Sequence, residues 1–546
     1  MRLRARNSMV CLLVMVLSLS LLAGCSKKEE PKQQDNQVED QKDSEKQDTA
    51  DDFFPLEETG KLSMWLLWSN DYIEDYNDLP AVQKFEQDTN VHVDYTSVTI
   101  GEAQEKFGLM MASGDYPDIV KHANAYYVGG PVQGVEDGVF IDMTDVVEQY
   151  MPNYKALRAG NEQVRKETCA DDGSLPCLWT LATNNGVIEG ERMWLGMTVR
   201  KDWLEEQNME EPHTLEQWHD YLVMCRDVYG ADAPLVVEKT GVDFIGSFTT
   251  AFGVYPGMYQ ENGIVKYGPL EEGYREFIEL FRDWYAEGLI DKDFVSSGAA
   301  DLGNGAYIAT GRSGATCTVY AMTADFFHQT GYTQEEDFYL LPVTAPVRTE
   351  GDTPQTAYDA RGLLKESINI TNNCKNVELA ARWLDYFYAA DTWKTASYGI
   401  EGESYIENAD GSIDFTDLIL QNPDGYTPND AVGLYTVGTA GTGLYNWAAA
   451  LATDKESEQI KAQYKWNENA SDLILPASLS LTSEESTTYN QYFTDCKTMV
   501  DEMTVKFIMG TEPMENYDNF VESLKSYGIQ NCIDAYQAAM DRYNKR

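Results

Sequence analysis

The chain has 546 residues, 43% of them hydrophobic, enough to bury a large core and long for a single domain. Its 41 basic and 90 acidic residues give a formal net charge of −49, a field that repels nucleic acid and anionic lipid headgroups. Beyond Cys25 no apolar run approaches the roughly 20 residues of a membrane span, so nothing there crosses a bilayer as a helix.

Arg2, Arg4 and Arg6 lead into an apolar run from Met9 to Leu22 that ends in small residues. A basic start, a short apolar core and a small-residue cleavage site describe a secretory signal. Leu22, Ala23, Gly24 and Cys25 resemble the bacterial lipoprotein box. The resemblance implies that 1–24 is a lipoprotein signal peptide and that Cys25 receives a diacylglycerol and becomes the first mature residue. Two or more acyl chains suffice for stable anchoring. The implied place is the extracellular face of a Gram-positive cytoplasmic membrane, with lipid as the only attachment. The chain from Cys25 carries −52, because residues 1–24 hold three arginines and no acid. Ser26 to Asp52 is polar with almost no large apolar residue, so it cannot offset its ordering entropy and reads as a disordered spacer. Its 27 residues reach about 30 Å as a flexible coil. Residues 25–57 are thus tether, and 58–546 the folded part.

That part opens with a strand, Lys61 to Trp68, then a helix near Leu79 to Gln87, a strand from Val91 to Val98 and a helix near Glu102 to Ser113. A third strand follows Asp118. Strands alternating with helical patterns predict βαβ units and a largely parallel sheet. Asp171 to Leu175 reads as a hairpin-like turn into Pro176–Trp179. Thr214–Gln217 is a capping box ahead of Leu215, Trp218, Leu222 and Cys225 on one helix face. Tyr274, Phe277, Ile278, Phe281, Trp284 and Tyr285 predict a second amphipathic helix closed by Gly288. Val377 to Tyr388 and Cys532 to Tyr543 predict two more. The 34 tyrosines and 11 tryptophans suit cores and wet binding surfaces alike, and most at helical spacing read as core.

Catalytic motifs are missing. The five histidines, His92, His122, His213, His219 and His328, form no HExxH, and GxSxG, GxxxxGK[ST] and GxGxxG do not occur. Neither a catalytic residue, a metal nor a cofactor is indicated. Asn408 to Asp414 lacks the EF-hand ligand set and reads as a hairpin turn. Seven cysteines remain after Cys11 and Cys25, an odd number without a CxxC pair. Cys169 and Cys177 flank a turn, and their spacing leaves a bridge open.

Val199–Leu204 (Val-Arg-Lys-Asp-Trp-Leu) and Glu211–Trp218 are similar to a segment of extracellular solute-binding proteins, family 1. Ala112–Asp118, Tyr285–Asp291, Tyr398–Tyr405 and Val505–Gly510 match further segments in the family's order. The large oligosaccharide-type branch is the nearest likeness. The resemblance implies an α/β, two-lobed, periplasmic-binding-protein-like (type II) fold with a hinge and an interlobe ligand cleft. Lobe 1 is expected at 58–190 and 305–355, lobe 2 at 191–304 and 356–546. It implies a non-enzymatic, monomeric receptor that captures an oligosaccharide for the permease subunits of an ABC importer. Two other classes stay open: a cell-surface glycoside hydrolase or lyase, since 90 acids make any carboxylate pair uninformative, and a carbohydrate sensor or adhesin.

Ligands of open α/β sheets bind beyond the carboxyl ends of strands, and sugars offer C–H faces to rings and hydroxyls to polar groups. The candidates after strands are Trp68, Ser69 and Asn70, then His122, Asn124, Tyr126 and Tyr127. Later loops add Phe248, Tyr320, Tyr358, Arg361, Tyr398 and Trp447.

Overall fold

Strand β1 (Gly60–Leu67) reads Gly-Lys-Leu-Ser-Met-Trp-Leu-Leu, nearly continuous in apolar residues, as a strand covered on both faces requires. Leu62, Met64 and Leu66 enter the larger core of a first lobe, while Trp65 points the other way into a smaller core with Val98, Phe107, Val120 and Phe140. Helix Pro80–Thr89 carries the chain back, with Pro80 in its first turn, where a missing N–H is harmless. Strand β2 (Val91–Val98) then pairs parallel with β1 from Gly60↔Val91 to Leu67↔Val98. After helix Ala103–Ser113, β3 (Ile119–Lys121) joins the other edge of β1, also parallel. The computed structural model that supplies this description covers residues 53–243, 245–296, 304–319, 327, 331, 333–358, 361–453 and 458–546. The signal, Cys25, the spacer and Tyr320 lie outside the described residues.

β4 (Leu178–Asn184) and the short β5 (Val187–Ile188) extend this sheet. With β6 (Leu195–Arg200) the chain enters a second lobe. There β7 (Met258–Glu261) and β8 (Ile264–Tyr267) form a hairpin. β9 (Ala315–Val319) and β10 (Leu340–Pro342) flank β6, both antiparallel. β11 (Leu364–Ile370) returns to the first sheet, antiparallel between β3 and β4. β12 (Tyr405–Glu407) and β13 (Ile413–Phe415) make a hairpin, and β14 (Leu444–Asn446) pairs parallel with β4. The first sheet thus runs β14-β4-β11-β3-β1-β2, the second β10-β6-β9.

Two expectations are corrected here. Residues 305–355 do not return to the first lobe: β9 and β10 belong to the second sheet, and β11 to β14 belong with the first lobe instead. The first sheet is also mixed. β11 enters it from the second lobe, so it runs opposite to β3 and β4.

The second core gathers the helices Leu215–Asp227 and Glu272–Glu287 with three C-terminal helices, Ser483–Ile508, Tyr517–Ser526 and Ile529–Tyr543. The capping box of Thr214 and Gln217 is formed, and Gly288 at φ 78° ends the second helix in the left-handed conformation. Helix Ser483–Ile508, 26 residues long, has no counterpart among the elements predicted from sequence. Its start is a second capping box, Thr482 with Glu485. The last helix, Ile529–Tyr543, also reaches the first lobe. Arg546 Nη2 donates to Asp171 Oδ1 at 2.6 Å, Arg542 donates to the same carboxylate, and Tyr543 Oη donates to Glu167 at 2.6 Å.

The seven cysteines beyond Cys25 are free thiols, so Cys169 and Cys177 are unbridged. Asn408 to Asp414 closes the β12–β13 hairpin, its Asn408 amide donating to Asp414 Oδ2 at 2.7 Å. Among the described residues no helix is long and apolar enough to cross a membrane.

Candidate functional site

The carboxyl ends of β1, β2 and β3 meet the start of β11 and the loop 433–440 around a hollow of about 460 Å³ in the first lobe. That is the size range of a small-molecule pocket. Trp68, Ser69, Asn70, Val98, Ile100, His122 and Glu366 line it. Trp68 is half-buried; its N–H donates to Val98 at 3.0 Å, and its ring meets Tyr76 edge-on at 5.2 Å. Ser69 is exposed at the rim.

Asn70 builds the wall. Its Oδ1 accepts from the N–H groups of Tyr72 (2.8 Å) and Ile73 (3.1 Å), and its Nδ2 donates to Gly433 O at 3.0 Å. Little of the carboxamide is left to meet a ligand.

His122 occupies the left-handed region at φ 67°, sparsely used by non-glycine residues. Its N–H donates to Ser367 O at 2.9 Å, while its buried Nε2 has no protein partner. Burial pushes the imidazole pKa down to about 3, with Lys121 adding to the shift. The ring is therefore neutral at ordinary pH and presents no charge to the hollow. Beneath it, the fully buried Lys121 donates to Thr439 O and Ala440 O, each at 3.1 Å, and to Gly441 O. Glu366 stands 3.5 Å away. Burial draws the Lys121 pKa down, and Glu366 opposes that shift. This ammonium holds the loop that forms one side of the hollow.

The remaining candidates go elsewhere. Asn124 staples its short helix to β11: its Oδ1 accepts from Ser367 N at 3.0 Å and its N–H donates to Ser367 Oγ at 2.9 Å. Tyr126 and Tyr127 line a separate groove of about 1000 Å³ between helix Ala103–Ser113 and the segment from Ser480 to Asn490. Tyr127 Oη donates to Asp137 there at 2.7 Å. Phe248 is fully buried in the second core, edge-on to Trp218 at 5.2 Å. Tyr398 is 2% exposed in the first core and donates to Asn185 Oδ1 at 3.1 Å.

Tyr358, Arg361 and Trp447 sit where the chain crosses between lobes. Arg361 Nη1 donates to Asn469 O at 2.7 Å, and its Nη2 donates to Ser471. Tyr358 meets Trp194 edge-on at 6.3 Å. Trp447, 3% exposed, donates from Nε1 to Glu189 O at 3.3 Å. The Arg192 guanidinium lies 5.0 Å from its ring and 3.7 Å from that of Tyr464. The crossings touch: a Cβ added at Gly190 would fall 2.0 Å from the Arg361 carbonyl oxygen.

Sequence reasoning missed Lys121, Glu366 and the 433–440 loop. For Lys121 the signal was a charge closing the apolar run Ile119–Val120, where an uncompensated charge is costly; Glu366, in the polar start of β11, carried no such signal.

Residues 70–392 match the sequence profile of the bacterial extracellular solute-binding proteins, more than half of the chain. The chain belongs to that family. This solute-binding protein is 26% identical over 415 residues to the fructooligosaccharide ABC transporter substrate-binding protein FusA of Streptococcus pneumoniae, covering 72% of this chain and 71% of that one. Solved structures share its fold. An HMO-binding, ABC-transporter-associated solute-binding protein of Bifidobacterium longum infantis superposes with a TM-score of 0.70 at 16% identity, over 89% of this chain and all of that one. The alginate-binding protein AlgQ2 gives 0.63 at 21% identity, over 90% and 99%. The architecture is the two-lobed type II fold, and the strand-end hollow lies on the edge where α/β sheets take ligands.

Proposed function

We propose that this solute-binding protein is a non-enzymatic, lipid-anchored receptor that captures an oligosaccharide and passes it to the permease of an ABC importer. The observation that carries the reading is the strand-end hollow: an indole, a neutral imidazole and a carboxylate in one concave wall, on a lobe joined to its partner by touching crossings. An indole face and hydrogen-bonding groups suit a saccharide's C–H faces and hydroxyls. A ligand held by both lobes shifts the population towards a closed form. The relatives named for fructooligosaccharide, HMO and alginate support carbohydrate as the class.

Calorimetric titration with oligosaccharides, followed by chromatography of the recovered sugar, tests the reading. Stoichiometric binding with the sugar returned intact is expected, and catalytic turnover would contradict it. For the anchor, Cys25→Ala is expected to abolish lipidation and release the protein into the soluble fraction after a salt wash. A variant that stays on the membrane would demand another attachment. The working form is a monomer, to be read from light scattering of the purified protein.

A further inference from the structure

The lining of the strand-end hollow holds one charged side chain among the described residues, and it is acidic: Glu366, 23% exposed. A ligand carboxylate entering here would meet that charge with no cation to receive it. Lys121 is the nearest candidate, but it is fully buried and its ammonium is spent on the carbonyls of Thr439, Ala440 and Gly441 and on Glu366 itself. His122 faces the hollow as a neutral ring. At the crossings, Lys365 pairs with Glu191, and Arg361 donates to Asn469 and Ser471. Arg192 keeps a buried Nη1 without a protein partner, yet it lies outside the lining, over the rings of Tyr464 and Trp447.

Resting on the carbohydrate reading above, we propose that the hollow takes an uncharged glycan and that Glu366 is the residue that sets this specificity. Its carboxylate, held in place by Lys121 from below, accepts hydrogen bonds from sugar hydroxyls; such charge-assisted bonds are about twice as strong as neutral ones. The same carboxylate opposes a uronate, since like charges brought together at a binding surface are costly and provide selection against the wrong partner. Because the fold is shared with an alginate-binding protein and with one that binds HMO, the fold alone leaves the choice open, and the local charge makes it.

The test is a panel titrated against the purified wild-type protein: kestose and other neutral oligosaccharides on one side, oligogalacturonate and alginate oligosaccharides on the other. The expected result is binding confined to the neutral arm, with every uronate probe at least about a hundredfold weaker. Glu366→Gln is expected to weaken the bound neutral sugar by about tenfold. A uronate probe that binds as tightly as the best neutral one overturns this inference and leaves the carbohydrate reading standing. Neutral binding that Glu366→Gln does not alter overturns the role of Glu366. If the folded protein binds no glycan of either arm, the carbohydrate reading falls and this inference with it. The class comparison uses the wild type alone, so it stands even where Glu366→Gln fails to fold over a buried Lys121.

Discussion

The strand-end hollow and the crossing region both collect aromatic and polar side chains, and they spend them differently. Around the hollow, Trp68 is half-buried and Ser69 exposed, and His122 keeps an unpartnered Nε2. At the crossings, Trp447 is buried, its indole N–H bonded to Glu189 O, and Arg361 donates to Asn469 O and Ser471 Oγ. The first region is arranged to meet something from outside, the second to hold two lobes together. Residue type does not separate them; the place along the strand does.

The largest expected effect is on the crossing side. Trp447→Ala should lower stability by about 3–5 kcal/mol, the usual cost of emptying a buried tryptophan site, read from denaturant unfolding. The folded fraction should bind its sugar with little change. Weakened binding at unchanged stability would place Trp447 in the ligand site and dissolve the contrast.

Next comes Trp68→Ala. Losing one large apolar contact of about 1–3 kcal/mol corresponds to a 5- to 150-fold weaker affinity by calorimetric titration. Some stability goes too, because the ring also meets Tyr76, but binding should suffer more. A variant that binds normally and melts much lower would make Trp68 a core residue.

The smallest effects come from two titrating groups in the first lobe. Burial raises the Asp385 pKa to about 6, although Tyr154 N–H donates to it at 2.9 Å. The folded state thus holds that proton where the unfolded chain has lost it, so acidification from pH 7 to pH 5 should stabilise. His122 works in the opposite direction: its folded pKa lies near 3, below the unfolded value, and the unfolded chain takes up the proton first. Acidification through pH 6.5 should therefore cost stability. Each contribution is about 1–2 kcal/mol over that window. Melting curves of Asp385→Asn and His122→Asn across it should move in opposite directions relative to wild type, and identical profiles would refute the assignment.

Much of the first lobe is legible in the chain. Lys61 to Trp68 reads as a strand and β1 forms there, and Val91 to Val98 is the strand the spacing implies. The capping box at Thr214 and the glycine at 288 mark helix ends through local chemistry alone. Sheet membership is different. β9, β10 and β11 are short strands whose partners lie over 100 residues away, so only tertiary closure decides which sheet each joins. The site shows the same limit. Trp68 and His122 follow strands and reach the hollow, yet Tyr126 and Tyr127, a single helical turn further on, are carried to the flank groove. One turn of helix redirects a side chain, and no periodicity announces it.

The strand-end hollow and the flank groove, which the first lobe shares with the segment Ser480 to Asn490, offer the most direct test of where the ligand sits. Hydrogen exchange of the purified protein should be compared with and without a saturating oligosaccharide. New protection is predicted in 66–72, 119–124 and 433–441, around the strand-end wall. Protection confined to 103–137 and 480–490, the walls of the flank groove, would contradict the account.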